Sequence, residues 1–213
     1  MFNAVFSQSA PNNYTADQFW PLTDPGYSAY ASNVPLIPGA TGYTVAVSAE
    51  TDVVCALLQG MTYKAKGTLV FSHVFGRLGT FMVAADEGYE ITGVSVKITP
   101  KVSGTYNLFA GNGKTDGTGW SAAVEGAALE LAPSAPGSKT NDVYLVPGTY
   151  ILTAGWTARK GDYQASFEGR TTTVDIPAGK VCALKATFGG NAAPITISVS
   201  LTPWQAVQNE FPI

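Results

Sequence analysis

His73 is the only histidine in the chain, so any imidazole acid–base or nucleophilic chemistry must pass through it. That chemistry needs a nucleophile within hydrogen-bond reach of the ring and a third group to orient it. No serine or cysteine beside His73 stands in a G-x-S-x-G elbow. The residue shares parity with Leu69 and Phe71, which reads as a core histidine bonded to backbone. Gly113-Lys114-Thr115 has the end of a phosphate loop, but the full pattern requires a glycine five residues earlier, where Leu108 stands. No helical pattern follows to supply a dipole, so a solvated hairpin loop is expected. Asp86-Glu87, and Asp162 with Glu168, are the carboxylate pairs on offer for acid–base work. They fall at turn-like positions with nothing to bury them and move a pKa. Asn112 to Asp116 lacks the oxygen density of a calcium loop. No catalytic, cofactor-binding or metal-ligating residue is assigned, and no cofactor is expected.

Cys55 and Cys182 lie far apart, each in an apolar run with no CxxC and no second histidine nearby, which excludes a zinc site. Two buried thiols is the first reading, a single stapling disulfide the rival. Among Trp20, Trp120, Trp156 and Trp204, Trp156 alternates with core residues. Trp120, in a glycine-rich stretch, is the candidate ligand contact, its ring face matching the apolar face of a pyranose.

The elements that would position these residues are strands. Tyr150, Leu152, Ala154 and Trp156 alternate with Ile151, Thr153, Gly155 and Thr157, and Ile195, Ile197, Val199 and Leu201 alternate with hydroxyl residues. A period of two gives one buried and one open face. Strands are likewise expected around Tyr43–Val47, Leu69–Phe75, Leu78–Ala84 and Val94–Ile98, the last ended by Pro100. Asp52–Leu58 fits a buried strand or a short helical turn, which periodicity alone does not decide. Residues 110 to 121 and 132 to 141 read as loops, and Pro147-Gly148 and Pro177-Ala178-Gly179 as reversals. No sustained 3.6-residue period appears, so the fold class is all-β, an antiparallel sandwich.

Length and composition agree. The 213 residues give room for one large β domain, or a complete domain and part of another. Charged residues make up 13% of the chain, about half the ordinary value of about 25%. A net charge of −3 and a pI near 5.1 supply no basic field for phosphates, so nucleic-acid binding is not expected. No apolar run approaches the roughly 18 residues of a membrane helix, and no membrane span is expected.

Phe19-Trp20-Pro21 followed by Tyr27-Ser28-Ala29-Tyr30-Ala31 resembles the step from a WP pair to an aromatic-rich strand in fimbrillin-like proteins of Bacteroides-type bacteria. Thr51-Asp52-Val53-Val54 and then Leu69 through Leu78 resemble that family's acidic residue and L-x-F-x-H passage. Tyr150–Thr157, Lys160-Gly161-Asp162-Tyr163, Ile176–Val181 and Val199–Trp204 resemble its close. The resemblance covers most of the chain. It implies transthyretin-like β-sandwich modules in a secreted, usually lipidated, surface protein, a pilus stalk, tip or anchor subunit whose stalk members assemble by donating a strand.

Two departures from the family shape the expectation. The leader, lipidated cysteine and first strands expected before Met1 are absent from this sequence, and Met1-Phe2-Asn3 opens no signal peptide. After Trp204 only Gln205 to Ile213 remain, with little room for a long donor strand. Residues 1–66 are therefore expected to form a partial N-terminal sandwich portion and 67–213 a C-terminal sandwich. A missing first strand would leave a groove that accepts one. The functional expectation is a non-enzymatic structural or adhesive protein of the cell surface, fimbrium or outer membrane, its partners other pilus or surface subunits joined by β-strand addition. A carbohydrate-binding module touching host or bacterial glycans through Trp120, and a virion structural protein built on the same sandwich, are the alternatives.

Overall fold

The computed structural model describes residues 7–10, 13–15, 27–62, 68–133, 143–190, 195–204 and 207–210. Strands β1 (Ser7–Ala10) and β2 (Asn13–Thr15) pair only with each other. Then come β3 (Tyr27–Ser32), β4 (Ile37–Gly39), β5 (Gly42–Ser48), β6 (Val54–Met61), β7 (Thr68–His73), β8 (Gly76–Ala85), β9 (Glu90–Ile98) and β10 (Lys101–Asn107). A single turn of helix, α1 (Leu108–Gly111), precedes β11 (Trp120–Glu125), β12 (Leu129–Glu130), β13 (Val143–Leu145) and β14 (Gly148–Lys160). The chain continues through β15 (Tyr163–Ile176), β16 (Lys180–Phe188), β17 (Thr196–Pro203) and β18 (Val207–Glu210). The fold is all-β. Among the described residues no helix is long and apolar enough to cross a membrane.

Four four-stranded sheets enclose two cores. The larger core lies between the sheets β12-β9-β14-β15 and β13-β8-β16-β17. Alternation explains it directly: Tyr150, Leu152, Ala154, Trp156 and Ala158 of β14 are all buried, as are Cys182, Leu184, Ala186 and Phe188 of β16. Trp156 keeps its polar edge satisfied by donating from Nε1 to Gly189 O at 2.9 Å, and the Tyr150 hydroxyl donates to Val146 O. All ladders are antiparallel except β8 with β16, which are parallel.

The smaller core lies between β11-β10-β5-β4 and β18-β7-β6-β3. Val45 and Val47 of β5 and Tyr106 of β10 face Cys55, Val53, Val74 and Phe75. Strands from both sides of residue 66 share these sheets, since β5 pairs with β10 and β6 with β7. Prolines stand in two edge strands, Pro38 in β4 and Pro203 in β17, where a missing N–H costs least.

Three details differ from the sequence expectation. The ambiguous segment after Asp52 is a strand, β6. The loop expected over 110 to 121 gives way to β11 at Trp120. In β17 the alternating apolar face is only partly covered, with Val199 at 38% and Leu201 at 50% exposure, because this strand forms the sheet edge and has a neighbour on one side only. The loop expected over 132 to 141 lies largely outside the described residues, as do Phe19-Trp20-Pro21.

Candidate strand-pairing edge and cleft

β6 and β7 are consecutive antiparallel strands, and a hairpin of this kind should stay paired towards its turn. Here it does not. The two share only the pairs Val54↔His73 and Cys55↔Ser72. Beyond them β6 runs on to Met61 and pairs on its other side with β3, from Ser32↔Cys55 to Tyr27↔Met61. β7 pairs with β18, from Val207↔Phe71 to Glu210↔Thr68. The strands thus form a fork, and Ala56–Met61 and Thr68–Phe71 do not pair with each other. Main-chain donors and acceptors without a ladder partner must bond something else, and such an edge is a template for another strand.

A cleft of about 230 Å³ opens at this fork. Ala56, Leu57 and Val70 from its two arms, with Leu108 from α1, give it an apolar lining. Its rim comes from two loops. One is the 111–115 loop after α1, a turn whose N-cap Asn107 accepts from Ala110 N through Oδ1 at 2.9 Å. The other is the 177–180 turn between β15 and β16. Ala178 N donates to Thr115 O at 2.9 Å and Gly179 N to Phe75 O at 2.9 Å, so the loops are tied to each other and to the chain just beyond β7. Lys114 and Lys180 stand on them and line the cleft.

The closed end of the fork is held by His73. Its Nδ1 lies 2.9 Å from Asp52 Oδ1, and Trp204 stacks on the ring at 3.8 Å with the planes 9° apart. Asn33 fixes the Asp52 segment, donating from Nδ2 to Asp52 O at 2.8 Å and accepting from Val54 N through Oδ1 at 3.0 Å. Trp204 stacks in turn near Tyr144 at 5.4 Å, and the Arg77 guanidinium sits 5.2 Å from its ring. Because Trp204 follows β17 while His73 ends β7, this stack joins the edge of one core to the edge of the other.

Burial pushes the Cys55 thiol up to about 11, with only partial relief from its bond to Ser32 Oγ at 3.4 Å, and burial pushes Tyr106 up to about 12. A thiol held neutral is a poor nucleophile. Both cysteines are free and buried, one in each core. Asp86, Glu87, Asp162 and Glu168 are all exposed. Among the described residues no group of three or more His, Cys, Asp or Glu side chains could hold a metal.

Trp120 begins β11 with its ring half-buried, 5.2 Å from Phe75 and 5.5 Å from Tyr106. Its Nε1 is buried without a hydrogen-bond partner. Gly104 makes room for it, since a Cβ there would stand 3.3 Å from the indole. Of the residues singled out in the sequence, the fold brings Gly113, Lys114, Thr115, His73 and Cys55 to the cleft, while Trp120 packs beside Tyr106, another of its lining residues. Sequence reasoning missed Asp52 as the partner of His73, Trp204 as its stacking ring, Lys180, and the tail strand β18. The proximity of Asp52 to a strand end was a usable signal. The register of β18 had none, because four residues of any alternating pattern fit many edges.

No family model and no curated protein matches this sequence. Solved structures do. A fimbrial protein from Bacteroides vulgatus is similar with a TM-score of 0.55 at 14% identity, over 96% of this chain and 86% of that one. Candidate cell adhesion proteins from Bacteroides uniformis and Bacteroides ovatus are also similar. The first has a TM-score of 0.47 at 17% identity over 90% of this chain and 79% of that one. The second has 0.45 at 16% identity over 94% and 76%. The chain shares the all-β fold of the Bacteroides vulgatus fimbrial protein.

Proposed function

We propose that this chain is a non-enzymatic cell-surface protein, a pilus-type or adhesive subunit that joins its partners by β-strand addition. The observation that carries the reading is the fork: the β6–β7 ladder stops after two pairs although both strands continue. In strand addition main-chain bonds give affinity, and pockets for alternate side chains give specificity. The fork offers the first and the apolar cleft the second. The likeness in fold to a fimbrial protein supports the same reading. Under it, residues 1–66 are the partial sandwich portion, completed by β7, β10 and β11 from the rest of the chain, in modules of transthyretin-like type. β18 is then a strand able to pair with a neighbour's edge as it pairs with β7.

Light scattering on the purified chain, with and without a synthetic peptide copying residues 204–213, tests this. Stable multimers, or a monomer that captures the peptide, are expected. A peptide present at 100 times its Kd should stabilise the fold by about 2.7 kcal/mol. A strictly monomeric chain whose melting temperature ignores the peptide overturns the reading.

A further inference from the structure

We infer that the fork selects a strand that carries a carboxylate, and that Lys114 and Lys180 are the residues that select it. The inference rests on the strand-acceptor reading and names the chemistry of the partner. The protein as a whole is acidic, with a net charge of −3. Among the described residues the cleft is the reverse: two lysines line it, and no aspartate or glutamate does. The carboxylates nearest to its loops in sequence are committed elsewhere. Asp116 Oδ1 accepts from Thr118 N at 2.9 Å and Asp175 Oδ1 from Thr149 Oγ1 at 2.5 Å, while Asp52 holds the His73 ring. Among the described residues neither lysine is in an ion pair. Two cations outside any ion pair, Lys114 acting only through space on Asp116, stand on tethered loops beside an apolar floor. They are complementary to an amphipathic segment with alternate apolar residues and acidic side chains at one end.

Size points the same way. A pocket for a whole small molecule takes about 300–1,000 Å³, whereas this cleft has about 230 Å³. That suits a few side chains projecting from a strand whose backbone lies in the fork. β6 leaves six residues, Ala56–Met61, and β7 four, Thr68–Phe71, on the facing arms, enough for a strand of four to six. The apolar side chains would enter between Leu57 and Val70. The acidic end would lie at the closed end of the fork, where the two loops are fastened to the chain after β7.

The test uses the full chain and two synthetic peptides of alternating valine and threonine, one ending in Glu-Glu and the other in Gln-Gln, with binding followed by calorimetry. Two exposed ion pairs should give the acidic peptide about two- to thirtyfold tighter binding in low salt. That preference should fall below about twofold in 0.5 M salt. It should fall likewise in the double variant Lys114→Gln, Lys180→Gln, while the neutral peptide binds that variant as it binds the parent. Equal binding of both peptides to the parent overturns the charge selection and leaves the strand site standing. A preference that survives in the double variant overturns the assignment to these lysines. Binding of neither peptide overturns this inference and the strand-acceptor reading together.

Discussion

Cys182 is fully buried in the larger core, and burial pushes its thiol up to about 11 from an ordinary 9.0; Cys55 in the smaller core is raised to about 11 for the same reason. Tyr150 and Tyr106 are likewise raised to about 12, chiefly by burial. For each of these acids the folded state holds the neutral form longer than the unfolded chain does. The stabilisation is therefore complete below about pH 9, where the unfolded thiols still carry their protons. It is lost as the pH rises through about 11, because the unfolded state ionises first. Urea unfolding followed from pH 8 to 11 should show stability falling above pH 9. Cys182→Val should remove part of that slope while leaving a folded protein at neutral pH. A flat profile in the parent would contradict the burial argument. The apolar runs around both cysteines already pointed to buried thiols, because a small hydrophobe is what such runs accept. The partner of His73 was less legible: a strand position shows that a ring is buried, but Asp52 and Trp204 reach it only through the fold.

At the scale of elements, the β14–β15 hairpin shows what local text can specify. Lys160↔Tyr163 closes the ladder, leaving Gly161 and Asp162 as a two-residue loop. Gly161 has φ +59 while Asp162 is not in the left-handed region, the pattern of a type II′ turn. No heavy atom lies within 4 Å of a Cβ built on Gly161. Gly161→Ala should therefore cost only the left-handed backbone penalty, about 1–2 kcal/mol, measured by urea denaturation. A neutral result would mean that the turn relaxes to another type. The alternation of Tyr150–Thr157 showed β14, and most strands showed likewise, because alternation is local, whereas the reversal at Gly161-Asp162 was not singled out. The sequence did not reveal the fork. Asp52–Leu58 carries an unbroken apolar run that fits a strand buried on both sides, and nothing local to Ala56 or Val70 says that their ladder ends at Cys55↔Ser72. The tail after Trp204 reads as having little room for a long donor strand, and the four residues of it that form β18 pair within the chain with β7. Pairing between elements is a property of the whole chain, and a short tail needs only a suitable edge.

Across the whole molecule the two cores are unequal in a way that should govern motion. Among the described residues the larger contains 18 buried residues between two sheets and the smaller nine. β14 in the larger is paired along its length with β15, whereas one sheet of the smaller is split by the fork. Local opening has the lowest free energy where apolar contacts are few and backbone bonds are incomplete. The aromatic ladder His73–Trp204–Tyr144–Phe75–Trp120 runs along the join between the cores, beside the main-chain bonds from Ala178 to Thr115, Gly179 to Phe75 and Val146 to Lys101. Native-state hydrogen exchange should therefore find the amides of β14 and β16 protected to the level of global unfolding. Those of Ala56–Met61 and Thr68–Phe71 should exchange orders of magnitude faster, with protection rising selectively when a strand peptide is bound. Trp204→Ala should speed exchange at Thr68–Phe71, because the ring fixes the point from which β18 reaches β7, and leave β14 unchanged. Uniform protection across both cores would show that the fork is closed in solution, and the proposed acceptor edge would then have to lie elsewhere. Fast exchange at the fork, slowed by the peptide, would make this local weakness the means by which a neighbour's strand enters.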